Sequence, residues 1–335
     1  MKRFGFQWHT TDRCNLRCAH CYQESFSSRG EPGLDALKAM ADRVLGGVPD
    51  REVTVNVTGG EPLLLPGIRD LLAHLHAFAN LDEIVIITNG TVASEATLDM
   101  LRALPKVTTL KVSLEGATPA VNDAMRGEGS FRRVLENIPR LASAGKDIVL
   151  MITLSRHNAG EIEAFARLAR DSGVAGVVFE RFVPLGQGKG LMGSVLGPRD
   201  WADAVRAIAA TAGIDADPMD LLPYKAFWLS TAPAPGEEPL AGALCNLGDE
   251  SMALMPDGSV FPCRRMALPI GNVLADPFDE ILRRLASFES RRLKPRLTGI
   301  FCTSCGIEEC SGCRALARSV CGDPLSDDPQ CPLLA

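Results

Sequence analysis

Apolar and polar positions along the first half of the chain switch repeatedly between two periods. Phe4–Thr10 reads as a strand, and the next segment carries Leu34, Leu37, Val44, Leu45 and Val48 near the helical repeat. Pro32 suits the start of that helix and Gly46–Gly47 its end. Glu52–Val57 is a second strand, followed by a helical stripe of Ile68, Leu71, Leu72, Leu75 and Phe78. Ile84–Ile87 is a continuous apolar run, as expected of a strand covered on both faces. Leu98, Leu101 and Leu104 form the next helix, with Ser94 placed to cap it. Val107–Leu114, Ile148–Leu154 and Val174–Phe179 complete the strands; helices at Phe131–Leu141 and Ile162–Leu168 separate them. Six strand–helix units in succession predict a parallel sheet with right-handed crossovers. About 185 residues for six units is too few for a closed eight-unit barrel. The expected fold is α/β: a partial, TIM-like (β/α)6 barrel, with no sequence repeat. Residues 184–197 are rich in glycine and predict a loop, and residues 231–242, TAPAPGEEPLAG, predict a linker. The expected division is a core at 1–197, a helix and linker at 198–241, and a small C-terminal domain at 242–335.

Composition narrows the classes. Of 335 residues, 46% are hydrophobic, which suits a buried core. The formal net charge of −6 argues against a nonspecific nucleic-acid binder. No apolar run approaches the roughly 18–20 residues that cross a bilayer, and the N-terminus lacks an apolar signal core. A cytoplasmic protein without membrane or nucleic-acid partners is expected. The eleven cysteines change the picture most. Three fall within residues 14–21, none between 22 and 244, and eight within 245–331. An odd number in clusters, with no export signal, points to thiolate-ligated metal rather than disulfides. Beyond residue 242 the chain offers only short apolar pieces and turns such as Pro256-Asp257-Gly258, so metal is expected to organise its fold.

Cys14-Asn15-Leu16-Arg17-Cys18-Ala19-His20-Cys21 directly follows the first predicted strand, where parallel α/β folds build active sites. Three cysteines on a four-iron cubane leave one iron free to bind a cofactor or substrate. A zinc site using His20 or a distant fourth ligand is the alternative, but zinc ligands are usually paired as C-x2-4-C. The C-x3-C-x2-C spacing resembles the radical S-adenosylmethionine superfamily, and the resemblance extends through the first 185 residues. It implies that the open iron takes the amino and carboxylate groups of S-adenosylmethionine. One electron then cleaves the sulfonium, releasing a 5′-deoxyadenosyl radical that abstracts a substrate hydrogen. Further positions carry over by the same resemblance. Tyr22 matches the aromatic that packs near the adenine. Gly59, Gly60 and Glu61, in Thr58-Gly59-Gly60-Glu61-Pro62, match the element that holds the methionine amino group. Ser113 meets the ribose or methionine part, and Arg126 pairs with the methionine carboxylate through its planar fork. Asn89, after the third strand, is a candidate pocket residue. Glu115 stands where relatives carry aspartate and is given no role.

The C-terminal cysteines resemble the SPASM extension, which holds auxiliary iron–sulfur clusters. Cys245 is followed after twelve residues by Gly258 and then Cys263; Cys302-x2-Cys305-x4-Cys310-x2-Cys313, Cys321 and Cys331 follow. The inner spacings are one residue shorter than the commonest SPASM pattern. The ending is most similar to the branch of pyrroloquinoline quinone, mycofactocin and haem maturases. By resemblance, Cys245, Cys263 and Cys313, with Cys321, hold an inner cluster. Cys302, Cys305, Cys310 and Cys331 hold an outer one. Three [4Fe–4S] cubanes present twelve iron corners, and S-adenosylmethionine takes one, which leaves as many as the chain has cysteines. The implied reaction is oxidative modification, a crosslink or decarboxylation, of a ribosomally made peptide or small protein. The first strand begins too early for a leader-binding domain, so a separate leader-peptide-binding protein is expected, with flavodoxin or ferredoxin as electron donor. The alternatives are tetrapyrrole side-chain chemistry and, without catalysis, an iron–sulfur electron carrier. Against a sulfatase-maturing activity, Arg264 follows Cys263 where those relatives have aspartate.

Overall fold

The computed structural model describes residues 2–334. Its first half runs β1 (Lys2–His9), α1 (Leu34–Gly46), β2 (Arg51–Thr58), α2 (Ile68–His76), β3 (Leu81–Thr88), α3 (Glu95–Arg102) and β4 (Val107–Ser113). It continues through α4 (Pro119–Arg126), α5 (Ser130–Ala142), β5 (Asp147–Leu154), α6 (Ile162–Asp171), β6 (Gly176–Arg181) and α7 (Pro198–Thr211). Strands β1 to β6 pair in parallel and in sequential order, which is how a (β/α) barrel winds. The sheet does not return to β1, because β6 pairs antiparallel with β7 (Ala226–Ser230), so the barrel is partial.

Alternation along the strands sorts the two faces. In β1, Phe4, Phe6 and Trp8 are buried among Val53, Val55, Leu71 and Ile84, in the layer the helices cover. Gln7 between them faces the opposite side, which is polar and joins Ser113, Thr153 and Glu180 along a cleft. Ser94 caps α3 as expected, accepting from Thr97 N at 3.2 Å. Helix α4 was not legible as a helix: it has eight residues, opened by Pro119 behind the Thr118 cap, and buries Asn122, Met125 and Arg126 rather than an aliphatic stripe.

Two expected loops have structure. Residues 231–242 include the turn between β7 and β8 (Leu240–Ala243), an antiparallel hairpin that extends the sheet edge. Proline and glycine there mark a hairpin turn between short strands rather than a free linker. The glycine-rich stretch winds as 3-10 turns over Gly186–Ser194.

The C-terminal part joins the same sheet. β9 (Ser251–Leu254) pairs in parallel with the free edge of β1, and β10 (Ser259–Phe261) and β11 (Gly271–Asn272) follow antiparallel. The Pro256-Asp257-Gly258 turn joins β9 to β10, with Gly258 at φ +83°. Short helices α8 (Phe278–Ala286), α9 (Ser290–Leu293), α10 (Ile300–Ser304) and α11 (Arg314–Cys321) complete the chain. Its small apolar cluster of Val183, Leu247, Met266, Leu293, Ala315 and Leu316 packs against Cys245, Cys263 and Cys313. Among the described residues, no helix is long and apolar enough to cross a membrane.

Candidate active site

The loop leaving β1 carries Cys14, Cys18 and Cys21 to one cleft at the C-terminal ends of the parallel strands. The cleft has about 1100 Å³ of empty space, part of it open to solvent. Tyr22, Gly59, Gly60, Asn89, Ser113 and Arg126 line it too. The three thiols are unpaired with one another. Leu16 N donates to Cys14 Sγ at 3.4 Å and Gln23 N to Cys21 Sγ at 3.4 Å; Asn89 Nδ2 reaches Cys14 Sγ at 3.8 Å. Burial pushes the free Cys21 thiol up to about 11, yet N–H donors and the nearby Arg126 are what a cluster-bound thiolate requires. Among the described residues no three His, Cys, Asp or Glu side chains converge closely enough for a single ion. A cubane asks for thiolates at its separate corners, spread more widely than one ion's ligands. The donor set therefore fits an iron–sulfur cluster, which Cys14, Cys18 and Cys21 would hold in the cleft that Arg126 also lines.

The glycines after β2 work through the backbone. Gly59 sits at φ +141°, and a Cβ there would lie 2.4 Å from Thr11 O; on Gly60 it would lie 2.1 Å from Arg13 O. Gly60 N and Glu61 N each donate to those carbonyls at 2.7 Å. The close approach they permit is to the segment leading into Cys14. Glu61 itself is fully buried behind the cleft and does not line it. It accepts from Leu63 N (3.1 Å), Thr88 Oγ1 (2.8 Å) and Asn89 N (2.7 Å). Burial raises its carboxyl above the ordinary range despite those donors. Glu61 thus ties the end of β2 to the end of β3, and through Asn89 to Cys14.

Arg126 is buried, and its Nη1 donates to Glu115 Oε1 at 3.0 Å. Its Nε is enclosed and finds no acceptor. Glu115, given no role by sequence, is central: His20 Nε2 lies 3.1 Å from it and Thr153 N donates to it at 2.9 Å. Burial pushes this carboxyl up, but His20, Arg126 and the Thr153 amide outweigh it and hold it below the usual range. His20 also lines the cleft, with Nδ1 enclosed and unpartnered. Its place between Cys18 and Cys21 was the available signal. Also missed was the glycine-rich strap: a Cβ on Gly186 would lie 2.4 Å from the Tyr22 backbone, and Gly188 N donates to Cys21 O at 3.0 Å.

Tyr22 donates its hydroxyl to Gly59 O at 3.3 Å, and the Arg264 guanidinium stacks 3.9 Å from its ring centre. Arg264 Nε and Nη2 both donate to His9 Nδ1, at 3.1 and 2.7 Å, and His9 Nε2 pairs with Asp12 at 2.8 Å. Burial lowers His9 to about 4, against the pull of Asp12, so the ring is neutral.

In the C-terminal part, Cys302, Cys305, Cys310 and Cys331 line one small cavity with Lys225, whose Nζ lies 3.3 Å from Cys310 Sγ. Arg314 Nη2 reaches Cys302 Sγ at 3.7 Å. Burial raises the Cys245 thiol, up to about 12, and the Cys263 thiol; Cys313 lies close enough to both to add to the rise. Cys321 does not join them. It is exposed at the far end of α11, whose N-cap is Cys313. Eight residues of helix at about 1.5 Å each put it roughly 12 Å away. Its charged neighbours are Asp328, Arg314, Asp327 and Asp323. The structure thus brings Cys245, Cys263 and Cys313 together and leaves Cys321 apart from them.

A barrel loop of three cysteines in an arginine-lined cleft, with further groups of cysteines in the C-terminal part, is the donor arrangement of an iron–sulfur enzyme. The chain belongs to the radical SAM superfamily, whose model matches residues 8–169, and it carries an iron–sulfur cluster-binding SPASM domain matched at 245–314. It is 32% identical to mycofactocin maturase MftC of Mycobacterium ulcerans, over 97% of this chain and 86% of that one. It is 29% identical to the AdoMet-dependent heme synthase of Methanosarcina barkeri, over 97% and 95%. In fold it is similar to Streptococcus suis SuiB bound to S-adenosylmethionine, with a TM-score of 0.69 and 17% identity over 98% of this chain and 77% of that one. It is an enzyme that uses S-adenosylmethionine and iron–sulfur clusters.

Proposed function

We propose that this enzyme is a maturase that abstracts hydrogen from a ribosomally made peptide or small protein and leaves it oxidatively modified, by a crosslink or a decarboxylation. The observation that carries the reading is the convergence of Cys14, Cys18, Cys21 and Arg126 on one cleft. In this reading Cys14, Cys18 and Cys21 hold a [4Fe–4S] cluster, Cys302, Cys305, Cys310 and Cys331 an outer auxiliary one, and Cys245, Cys263 and Cys313 an inner one. When bound, the first cluster and S-adenosylmethionine supply one-electron cleavage of a carbon–sulfur bond. The chain's own residues bind and shield. Arg126 takes the methionine carboxylate, and Glu115 and His20 hold Arg126 in place. Gly59 and Gly60 present backbone to the methionine part, Ser113 lies toward the ribose, and Tyr22 toward the adenine. Asn89 steadies Cys14, and Glu61 braces that assembly from behind. The core is assigned to 1–197, the connecting helix and hairpin to 198–241 and the auxiliary domain to 242–335. A flavodoxin or ferredoxin as electron donor, a separate leader-binding protein and a cytoplasmic location complete the proposal.

The similarity to a mycofactocin maturase supports this reading, as does the fold shared with SuiB, which is also solved with its precursor peptide SuiA. A second reading, oxidation of a tetrapyrrole side chain, is favoured by the near-full-length similarity to a heme synthase. The test is 5′-deoxyadenosine release by anaerobically reconstituted protein under dithionite. Replacing Cys14, Cys18 or Cys21 by Ala should abolish it; release at the wild-type rate by any of the three would overturn the assignment. A nearby-encoded peptide should lose about two mass units per crosslink, or about 46 on decarboxylation, while conversion of a porphyrin with no change in the peptide would select the second reading.

A further inference from the structure

Four arginines line the cleft, and three have carboxylate partners. Arg126 pairs with Glu115 at 3.0 Å, Arg181 with Asp328 at 2.8 Å and Arg265 with Glu180 at 3.4 Å. Arg264 is different. It is 6% exposed, yet no carboxylate among the described residues lies within ion-pair reach of it. Its Nε and Nη2 are spent on one atom, His9 Nδ1, and its plane lies on the Tyr22 ring. That imidazole is neutral: Nδ1 accepts from the fork and so carries no proton, and burial outweighs the pull of Asp12 on the other nitrogen. Asp12, the carboxylate paired with that ring, stands beyond it. Nη1 finds no acceptor among the described residues, and it is not one of the enclosed polar atoms, so it opens on the cleft.

The two adjacent arginines divide their work. Arg265 turns toward Glu180 and the Cys263–Cys313 pair, whereas Arg264 turns the other way, onto Tyr22 behind Cys21. A guanidinium this buried has lost much of its hydration and is poorly compensated unless an anion meets it. His9 and Tyr22 fix its plane but supply no charge. A planar fork held rigidly with a free edge on a cleft is the arrangement that receives a carboxylate with the least loss of side-chain freedom.

We infer that Arg264, oriented by His9 and Tyr22, is the anchor for a carboxylate of the substrate, in the cleft where the three-cysteine loop opens. This rests on the maturase reading and deepens it, because it names the group by which the substrate is gripped. The same chemistry serves the C-terminal carboxylate of a peptide or a propionate of a tetrapyrrole.

The test reads binding and not turnover, so it stands whether or not the proposed oxidation is found. Reconstituted enzyme saturated with S-adenosylmethionine is titrated calorimetrically with acetyl-trialanine, with its C-terminal amide and with coproporphyrin, using wild type, Arg264→Lys and Arg264→Met. At least one of the two carboxylate probes should bind at least tenfold more weakly to Arg264→Met, with Arg264→Lys in between, and the amide should be indifferent to either change. Which carboxylate shows the loss identifies the source. The affinity for S-adenosylmethionine should stay within twofold in both variants. If both carboxylates bind Arg264→Met as they bind wild type, or if none binds wild type, the anchor is refuted. A tenfold loss of S-adenosylmethionine affinity in Arg264→Met would refute it too, because the fork would then belong to the cofactor's own carboxylate.

Discussion

Replacing Arg126 by Met separates the two jobs its geometry suggests. The side chain is buried, gives Nη1 to Glu115 at 3.0 Å and keeps an enclosed Nε with no acceptor. If it also receives the methionine carboxylate, its loss removes a charge-assisted hydrogen bond worth roughly 1.5–3 kcal/mol. S-adenosylmethionine should then bind about tenfold to a hundredfold more weakly. Losing Arg126 also strands Glu115, leaving only His20 and the Thr153 amide for a buried carboxylate. Breaking one side of such a pair costs about 3–5 kcal/mol of stability. The double variant Arg126→Met with Glu115→Gln divides these effects. A neutral amide at 115 should recover most of the lost stability but none of the lost affinity. Equilibrium binding of S-adenosylmethionine to the anaerobic, reconstituted protein gives the first quantity and chemical denaturation the second. Affinity that returns in the double variant would show that Arg126 only neutralises Glu115, and the assigned carboxylate contact would be wrong.

Two further outcomes follow from the same geometry. Reconstituted wild type should hold about twelve irons, the triple Cys14, Cys18 and Cys21 to Ala variant about eight, and Cys321→Ser as many as wild type; loss of about four irons from Cys321→Ser would return that thiol to the inner set. His9 should make stability fall in mild acid: its folded pKa, about 4, lies below the ordinary 6.5, so stability is whole above pH 6.5 and declines as the unfolded chain takes up a proton. By pH 5 the loss relative to pH 7 is about 2 kcal/mol, and an anaerobic denaturation series should show this slope in wild type but not in His9→Asn.

Much of the core was legible because its code is local. Ile68, Leu71, Leu72 and Leu75 are all buried on α2, and β3 is the apolar run it promised to be. Cys14, Cys18 and Cys21 stood out by residue type and spacing and Arg126 by family resemblance, and the structure brings all four to one cleft. What failed were partners that spacing cannot give. Glu61 reads as a residue facing a ligand, yet its oxygens are taken by Thr88, Asn89 and Leu63, donors that only the sheet's register brings near. Cys321 completes a count, but a helix carries it to the surface, and counting cannot see a direction. Short strands are also invisible: β7 has five residues and β9 four, too few for a period to rise above noise.

The pairing of β9 with β1 changes what the C-terminal part is. A domain tethered by a linker could place its thiolates anywhere; this one is hydrogen-bonded along the strand that leads into Cys14. Two ion pairs reinforce the attachment of the C-terminal part from separate places. Arg51, on β2, meets Asp249 at 3.1 Å just before β9, and the buried Arg181–Asp328 pair joins the end of β6 to the residues before Cys331. Arg181 in turn lies 4.4 Å from the Trp201 ring centre on α7. The tail is therefore fixed at both ends of the parallel sheet, and the segment Cys263–Arg265 is carried across the cleft between those fixings. The C-terminal cysteines are thereby tied to the three-cysteine loop through the sheet itself, by strand pairing at one edge and a buried ion pair at β6.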